Sequence, residues 1–99
     1  MTRLAEAVDK IRSKNAGPFT LTIDIFCGSQ SAFARVRDGL ATEMVADAFA
    51  IEPCSINRFE LEDLHVVKFS LPRPFVQGTR ADRDMHGASY AILLADIEI

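Results

Sequence analysis

The sequence predicts an α+β fold built on a mostly antiparallel sheet, and three observations carry that prediction. The stretch 19–26 alternates apolar and polar residues, as a half-buried strand does. Two short apolar stripes at helical spacing follow it, across 29–50. Beyond them, strand-like runs at 55–61 and 64–71 are separated by Glu62-Asp63, a tight acidic turn suited to a hairpin.

Taken in order, residues 2–14 have the spacing of a first helix. Leu4, Val8 and Ile11 fall at i, i+4 and i+7, Thr2 stands at a capping position, and Glu6 and Asp9 lie early, where the helix dipole favours carboxylates. Asn15-Ala16-Gly17-Pro18 is then a helix stop, because continuing through glycine and proline is costly. In the strand 19–26, Phe19, Leu21, Ile23 and Ile25 share one face, and Thr20, Thr22 and Asp24 share the other. Gly28-Ser29 turns the chain and Ser29 caps a helix carrying Phe33, Val36 and Leu40, which Gly39 closes. A further helix over 42–50 turns Met44, Val45, Ala48 and Phe49 inward and ends before Pro53. In the second hairpin strand, His65, Val67, Phe69 and Leu71 are expected on one face, and Pro72-Arg73-Pro74 ends the ladder. Residues 73–88 read as a long irregular polar loop. A last strand is expected over 90–99, with Ala91, Leu93, Ala95, Ile97 and Ile99 on the core side. Helix, strand, two helices, hairpin, loop and strand best fit a ferredoxin-like two-layer sandwich. Four strands are covered by helices, and the loop takes the place of the second helix.

The totals set bounds. Ninety-nine residues suit one domain, 1–99, with a thin core. An apolar fraction of 48% is ordinary for a globular chain. A net charge of −3 and a pI near 5.2 argue against nucleic-acid binding driven by bulk charge. No apolar run approaches the roughly 20 residues of a membrane span. The opening MTRLAEAVDKIRSKN is too charged for a signal peptide. Cys27 and Cys54 are far apart and outside any CxxC pair, so two reduced thiols in a cytoplasmic protein are expected, with no zinc site.

Two segments concentrate chemistry. Arg12, Ser13, Lys14 and Asn15, with Ala16-Gly17, offer two cations, a hydroxyl, an amide and a closely approachable backbone, enough to hold a carboxylate or phosphate. The same residues also serve as an ordinary basic helix end and stop. Arg80, Asp82, Arg83, Asp84 and His86 crowd a stretch bracketed by Gly78 and Gly87, with Gln77 just ahead of it. Here Arg80 and Arg83 suit a bidentate carboxylate clamp, and His86 suits proton transfer with Asp82 or Asp84 orienting it. A solvated loop of self-pairing charges is the plainer alternative. Asp82, Asp84 and His86 share a two-residue spacing, yet the neighbouring arginines would repel a divalent cation, and no metal is expected. His65, among apolar strand residues, reads as a packed histidine. No Walker loop, dinucleotide fingerprint, zincin helix or EF-hand is present, so no cofactor is expected.

Several stretches together carry a family resemblance. They are Arg12-Ser13-Lys14-Asn15-Ala16-Gly17-Pro18-Phe19, Phe59-Glu60-Leu61-Glu62-Asp63-Leu64, Leu71-Pro72-Arg73-Pro74, Gln77-Gly78, Asp82-Arg83-Asp84-Met85-His86-Gly87-Ala88 and Asp96-Ile97-Glu98-Ile99. The chain resembles a numbered domain-of-unknown-function family of short bacterial proteins, found beside AtuA-type acyclic terpene utilisation proteins. It is similar, more distantly, to the ferredoxin-fold domain at the C-terminus of some longer AtuA-type proteins. Those domains begin with a glycine- and aspartate-containing turn where this chain has Lys14-Asn15-Ala16. The resemblance implies a small subunit or detached domain working with a larger AtuA-type protein in the catabolism of terpenoid or other carboxylic acids, often as CoA thioesters. It carries over no catalytic residues.

Three functional expectations follow. The first is an accessory subunit that lends anion-binding loops to an interface site on a larger partner, since so small a chain encloses a substrate poorly. The second is a self-sufficient homo-oligomeric enzyme or a binder of a carboxylate or acyl-CoA ligand, with His86 as acid/base. The third is a structural assembly module. A homo-oligomer or hetero-oligomer suits each, because a sheet with edge strands and a thin core pairs readily.

Overall fold

A computed structural model describes residues 2–17, 19–72 and 92–99, and the side chains of all of these but Ile92 and Leu93. Its elements are α1 (Leu4–Ala7), β1 (Lys10–Asn15), β2 (Thr20–Phe26), α2 (Gln30–Gly39), α3 (Thr42–Phe49), β3 (Asn57–Leu61), β4 (Val66–Pro72) and α4 (Ile92–Ala95). Short 3₁₀ turns at Pro53–Ser55 and Glu62–Leu64 lead into β3 and β4.

The four strands form one sheet in the order β1-β2-β4-β3, antiparallel at every pairing. The α+β class and the four-stranded antiparallel sheet are therefore as expected. Strands β2 and β3 both run antiparallel to β4, hence parallel to each other, and the α2–α3 pair bridges them. That is a split β-α-β unit. In a ferredoxin-like sandwich the remaining edge strand, beside the first strand of that unit, comes from the C-terminal side. Here the edge beside β2 is taken by β1, from the N-terminal side.

This corrects the first expected helix. Helix α1 lasts only four residues, and Lys10–Asn15 is a strand paired with β2 from Lys10↔Phe26 to Asn15↔Leu21. Leu4, Val8 and Ile11 match a helical period, but 10–15 also alternate, and a short window serves both periods. The six-residue ladder supplied by β2 decides between them. The supposed helix stop is instead the hairpin turn: the Ala16 amide donates to the Thr20 carbonyl at 2.9 Å, and Gly17 has φ of 114°, which favours glycine.

The expected last strand is corrected too. Residues 92–95 are helical, and Leu94, off the expected inward set, is fully buried. Beyond α4 the chain runs beside the N-terminal segment. Arg3 and Glu98 form an isolated bridge, and the Leu4 amide donates to the Ile97 carbonyl at 2.7 Å. Tyr90 and Ala91, and the expected loop at 73–88, lie outside the described residues.

The helices of the middle of the chain form where their sequences direct them. The Ser29 hydroxyl accepts from the Ala32 amide at 3.2 Å and caps α2. Ala50, in the left-handed region with φ of 57°, closes α3 by donating to the Ala46 and Asp47 carbonyls. Phe33, Val36, Val45, Ala46 and Phe49 pack in one core with Leu21, Ile23 and Ile25 of β2 and Val67, Phe69 and Leu71 of β4. These strand residues stand side by side: Leu21 opposite Leu71, Ile23 opposite Phe69, Ile25 opposite Val67. Gly28 permits a close approach of the Asp9 side chain. Its φ is 87°, and a Cβ there would lie 2.6 Å from an Asp9 carboxylate oxygen.

Candidate functional site: a basic row on the second sheet face

Because successive strand residues point to opposite sides, the register also defines the face away from the core. Three rows cross it. Lys14, Thr22, Ser70 and Asn57 form one, Arg12, Asp24, Lys68 and Phe59 the next, and Lys10, Phe26, Val66 and Leu61 the third. Val66 is buried but stands apart from the core cluster that holds its neighbour Val67.

Chemistry on this face is sorted by strand. Edge strand β1 brings Lys10, Arg12 and Lys14, all exposed. Lys68 on β4 is half-buried, and Asp24, between Arg12 and Lys68, is the one carboxylate in the three rows. The opposite edge, β3, brings Phe59 at 48% exposure and Leu61 at 39%, with Leu64 at 69% just beyond. The Lys10 ammonium lies 5.0 Å from the centre of the Phe26 ring, a distance at which the ring's negative face attracts a cation. Four cations against one carboxylate, on a chain of net charge −3, make this a locally positive surface with an apolar border.

The first expected site is thereby split. Arg12 and Lys14 do share a surface. Ser13 and Asn15 face the core side, opposite Ile23 and Leu21, and Ser13 is buried. The four residues do not converge on one anion, because a strand separates odd from even positions. Lys10 takes the place of the missing pair. Its signal was present in the sequence as cations at 10, 12 and 14, a two-residue period that the helical reading of this stretch concealed. Gln77, Arg80, Asp82, Arg83, Asp84 and His86 lie outside the described residues.

His65 is not within a strand. It caps the 3₁₀ turn with φ of 54°, half-buried, its ring 6.4 Å from that of Phe33 and its carbonyl accepting from the Cys27 amide at 2.9 Å. That is a packing role for the ring and a turn role for the backbone. Neither cysteine is in a disulfide; Cys27 is buried and Cys54 exposed, and burial raises the Cys27 thiol pKa above its ordinary value. Among the described residues no three His, Cys, Asp or Glu side chains gather as a metal site requires. No described helix is long and apolar enough to cross a membrane.

Two grooves are lined by described residues. One, of about 190 Å³, is lined by Phe19, Thr20, Ser55, Asn57, Ser70, Leu71 and Pro72 at the hairpin end. The other, of about 420 Å³, lies at the start of α2 among Thr2, Glu6, Ser29, Ser31 and Arg35. The first is smaller than a typical small-molecule pocket of roughly 300–1,000 Å³, and the second is mostly polar, with only the small Ala7 and Ala32 for the apolar lining such pockets use.

Arg58 is a residue that reading the sequence missed. From β3 it donates to the carbonyls of Arg37 and Leu40 at the end of α2, and to Glu60 at 2.9 Å, while lying 5.5 Å from the centre of the Phe69 ring. It ties the edge strand to the helix end and satisfies carbonyls that a helix terminus leaves open.

No curated protein and no solved structure matches the chain. A family model does match, over residues 4–98 and so across both sheet edges and every described element. The chain belongs to that family, DUF4387, a domain of unknown function.

Proposed function

We propose that this domain is an accessory subunit that docks through its second sheet face onto a larger protein. The reading rests on one observation: Lys10, Arg12, Lys14 and Lys68 share with Phe59 and Leu61 a face whose residues stand outside the core cluster. A charged row beside exposed aromatic and aliphatic side chains is the composition of a protein-binding surface. Resemblance to proteins found beside AtuA-type proteins suggests the partner, an AtuA-type protein acting on terpenoid or other carboxylic acids or their CoA thioesters. In that complex the basic row meets an acidic partner surface or the anionic end of the shared ligand.

Co-expression of the chain with an AtuA-type protein encoded beside it tests the reading. The two should co-elute at low salt and separate at high salt, because exposed charges are screened. The Arg12→Glu, Lys14→Glu double variant should abolish co-elution while keeping the circular dichroism spectrum. Co-elution that withstands both the variant and the salt overturns the basic row as the contact. Turnover of a carboxylic acid or CoA ester by the isolated chain, at ordinary rates, overturns the accessory role.

A further inference from the structure

The two edges of the sheet differ in what they would do to a second copy of the chain. Two identical antiparallel strands pair about a two-fold axis perpendicular to the sheet, so residues of like parity stand opposite each other. Along β1 every even position of the strand is a cation: Lys10, Arg12 and Lys14. Any self-pairing of β1 therefore sets cation against cation, which destabilises the pair. Lysine on an exposed edge is a common guard against such pairing.

Strand β3 has the opposite property. Centring the axis on Arg58 would face Arg58 with itself, and centring it on Glu60 would face Glu60 with itself. Centring it on Phe59 sets Arg58 of each copy opposite Glu60 of the other, Phe59 opposite Phe59, and Asn57 opposite Leu61, using all five residues of the strand. Glu60 already accepts from Arg58 of its own strand at 2.9 Å and its side chain remains 40% exposed. Pairing would complete a ring of four alternating charges on the core side and stack two half-exposed phenylalanines on the other. Among the described residues no strand occupies the outer edge of β3. A head-to-tail pairing of β1 with β3 is poorer, because the shared face would oppose the cations of β1 with Asn57, Phe59 and Leu61.

We infer that β3 is a homodimer edge: two copies join by antiparallel β3–β3 pairing centred on Phe59. The sheet becomes an eight-stranded one, ordered β1-β2-β4-β3-β3-β4-β2-β1, with both basic rows at its outer margins and the two Phe59 rings at its centre. The dimer takes Phe59 and Leu61 into its seam but leaves the basic row of the docking reading untouched, since Lys10, Arg12 and Lys14 lie at the far edge from the axis.

The test is register-specific cross-linking of the full chain in a Cys54→Ser background, combined with sedimentation equilibrium. The wild-type chain should sediment at twice its 10.9 kDa. Phe59→Cys should link to its own equivalent with a short thiol cross-linker, since directly opposed residues have Cβ atoms about 5 Å apart. Asn57→Cys alone and Leu61→Cys alone should not, because each lies roughly 14 Å along the strand from its own equivalent, four residues at about 3.4 Å. A mixture of the Asn57→Cys and Leu61→Cys chains should link. Glu60→Lys should raise the dimer dissociation constant about tenfold or more, two attractive pairs having become repulsive, with an unchanged circular dichroism spectrum. A monomer at near-millimolar concentration overturns the inference. So does a dimer that links through Arg12→Cys rather than Phe59→Cys, or one indifferent to Glu60→Lys.

Discussion

Leu21, Ile23 and Ile25 and their neighbours Thr22, Asp24 and Phe26 come from the same seven residues of β2, yet they meet different surroundings. The first set is fully buried against Val67, Phe69, Leu71 and the helices. The second lies in rows that begin with exposed cations on β1 and end with exposed Asn57, Phe59 and Leu61 on β3. One face is consumed by folding, and its residue types answer to packing. The other carries charge and unburied apolar area that folding does not need, which is why the candidate function is placed there.

The contrast can be broken on its packed side first. Phe69→Ala removes a fully buried ring and should cost about 3–5 kcal/mol in urea unfolding. Phe59→Ala, on the other face and half-exposed, should cost under about 1 kcal/mol when measured at low concentration. Equal losses would erase the distinction between the faces. Gly28→Ala comes next, at about 1–3 kcal/mol, because the left-handed backbone strains any side chain and the new methyl must displace the Asp9 carboxylate. Arg58→Ala should cost a similar or smaller amount, about 1–3 kcal/mol, by leaving the carbonyls of Arg37 and Leu40 without their donor. A loss within about 0.5 kcal/mol would mean that Arg58 acts only as surface charge. Thiol labelling sharpens the same inside–outside division at no cost in stability. In the native protein Cys54 should react promptly at pH 8, whereas Cys27, buried and with a raised pKa, should react only on unfolding. The smallest effect is electrostatic. The Asp38 carboxylate, hydrogen-bonded to the exposed Arg37 guanidinium, titrates below the usual carboxylate range. A depressed folded pKa adds stability above the unfolded value, near pH 4 for aspartate, and that stability fades as pH falls through the folded value. Asp38→Asn should lower the melting temperature slightly at pH 7, and the difference from the wild-type chain should vanish as pH falls through that acid window.

How legible the molecule was depended on how long each pattern ran. The alternation of 19–26, the cap at Ser29, the two apolar stripes of α2 and α3 and the hairpin around Glu62-Asp63 were all readable, and each formed within a residue or two of its expected bounds. The N-terminal stretch has the spacing of one helix, but Leu4 belongs to α1, Val8 ends it and Ile11 belongs to β1. Half of the first candidate site moved with it. Arg12 and Lys14 kept their exposure but exchanged Ser13 and Asn15 for Lys10 and Lys68 as companions.

The sequence by itself determined the class of fold, the inward rows of β2 and β4, the cap at Ser29 and the charge carried by each segment. These depend on local spacing and on side-chain chemistry, which travel with the chain. Only the tertiary structure decided that Lys10–Asn15 is a strand, an outer one among the described residues, that the cations of β1 lie on the same face as Lys68, and that Phe59 and Leu61 border that face on the opposite outer strand. The physical reason is that a six-residue segment can satisfy its backbone as a helix turn or as a ladder, and the strand beside it, twelve residues away in sequence at the Arg12↔Asp24 pair, supplies the hydrogen bonds that settle which.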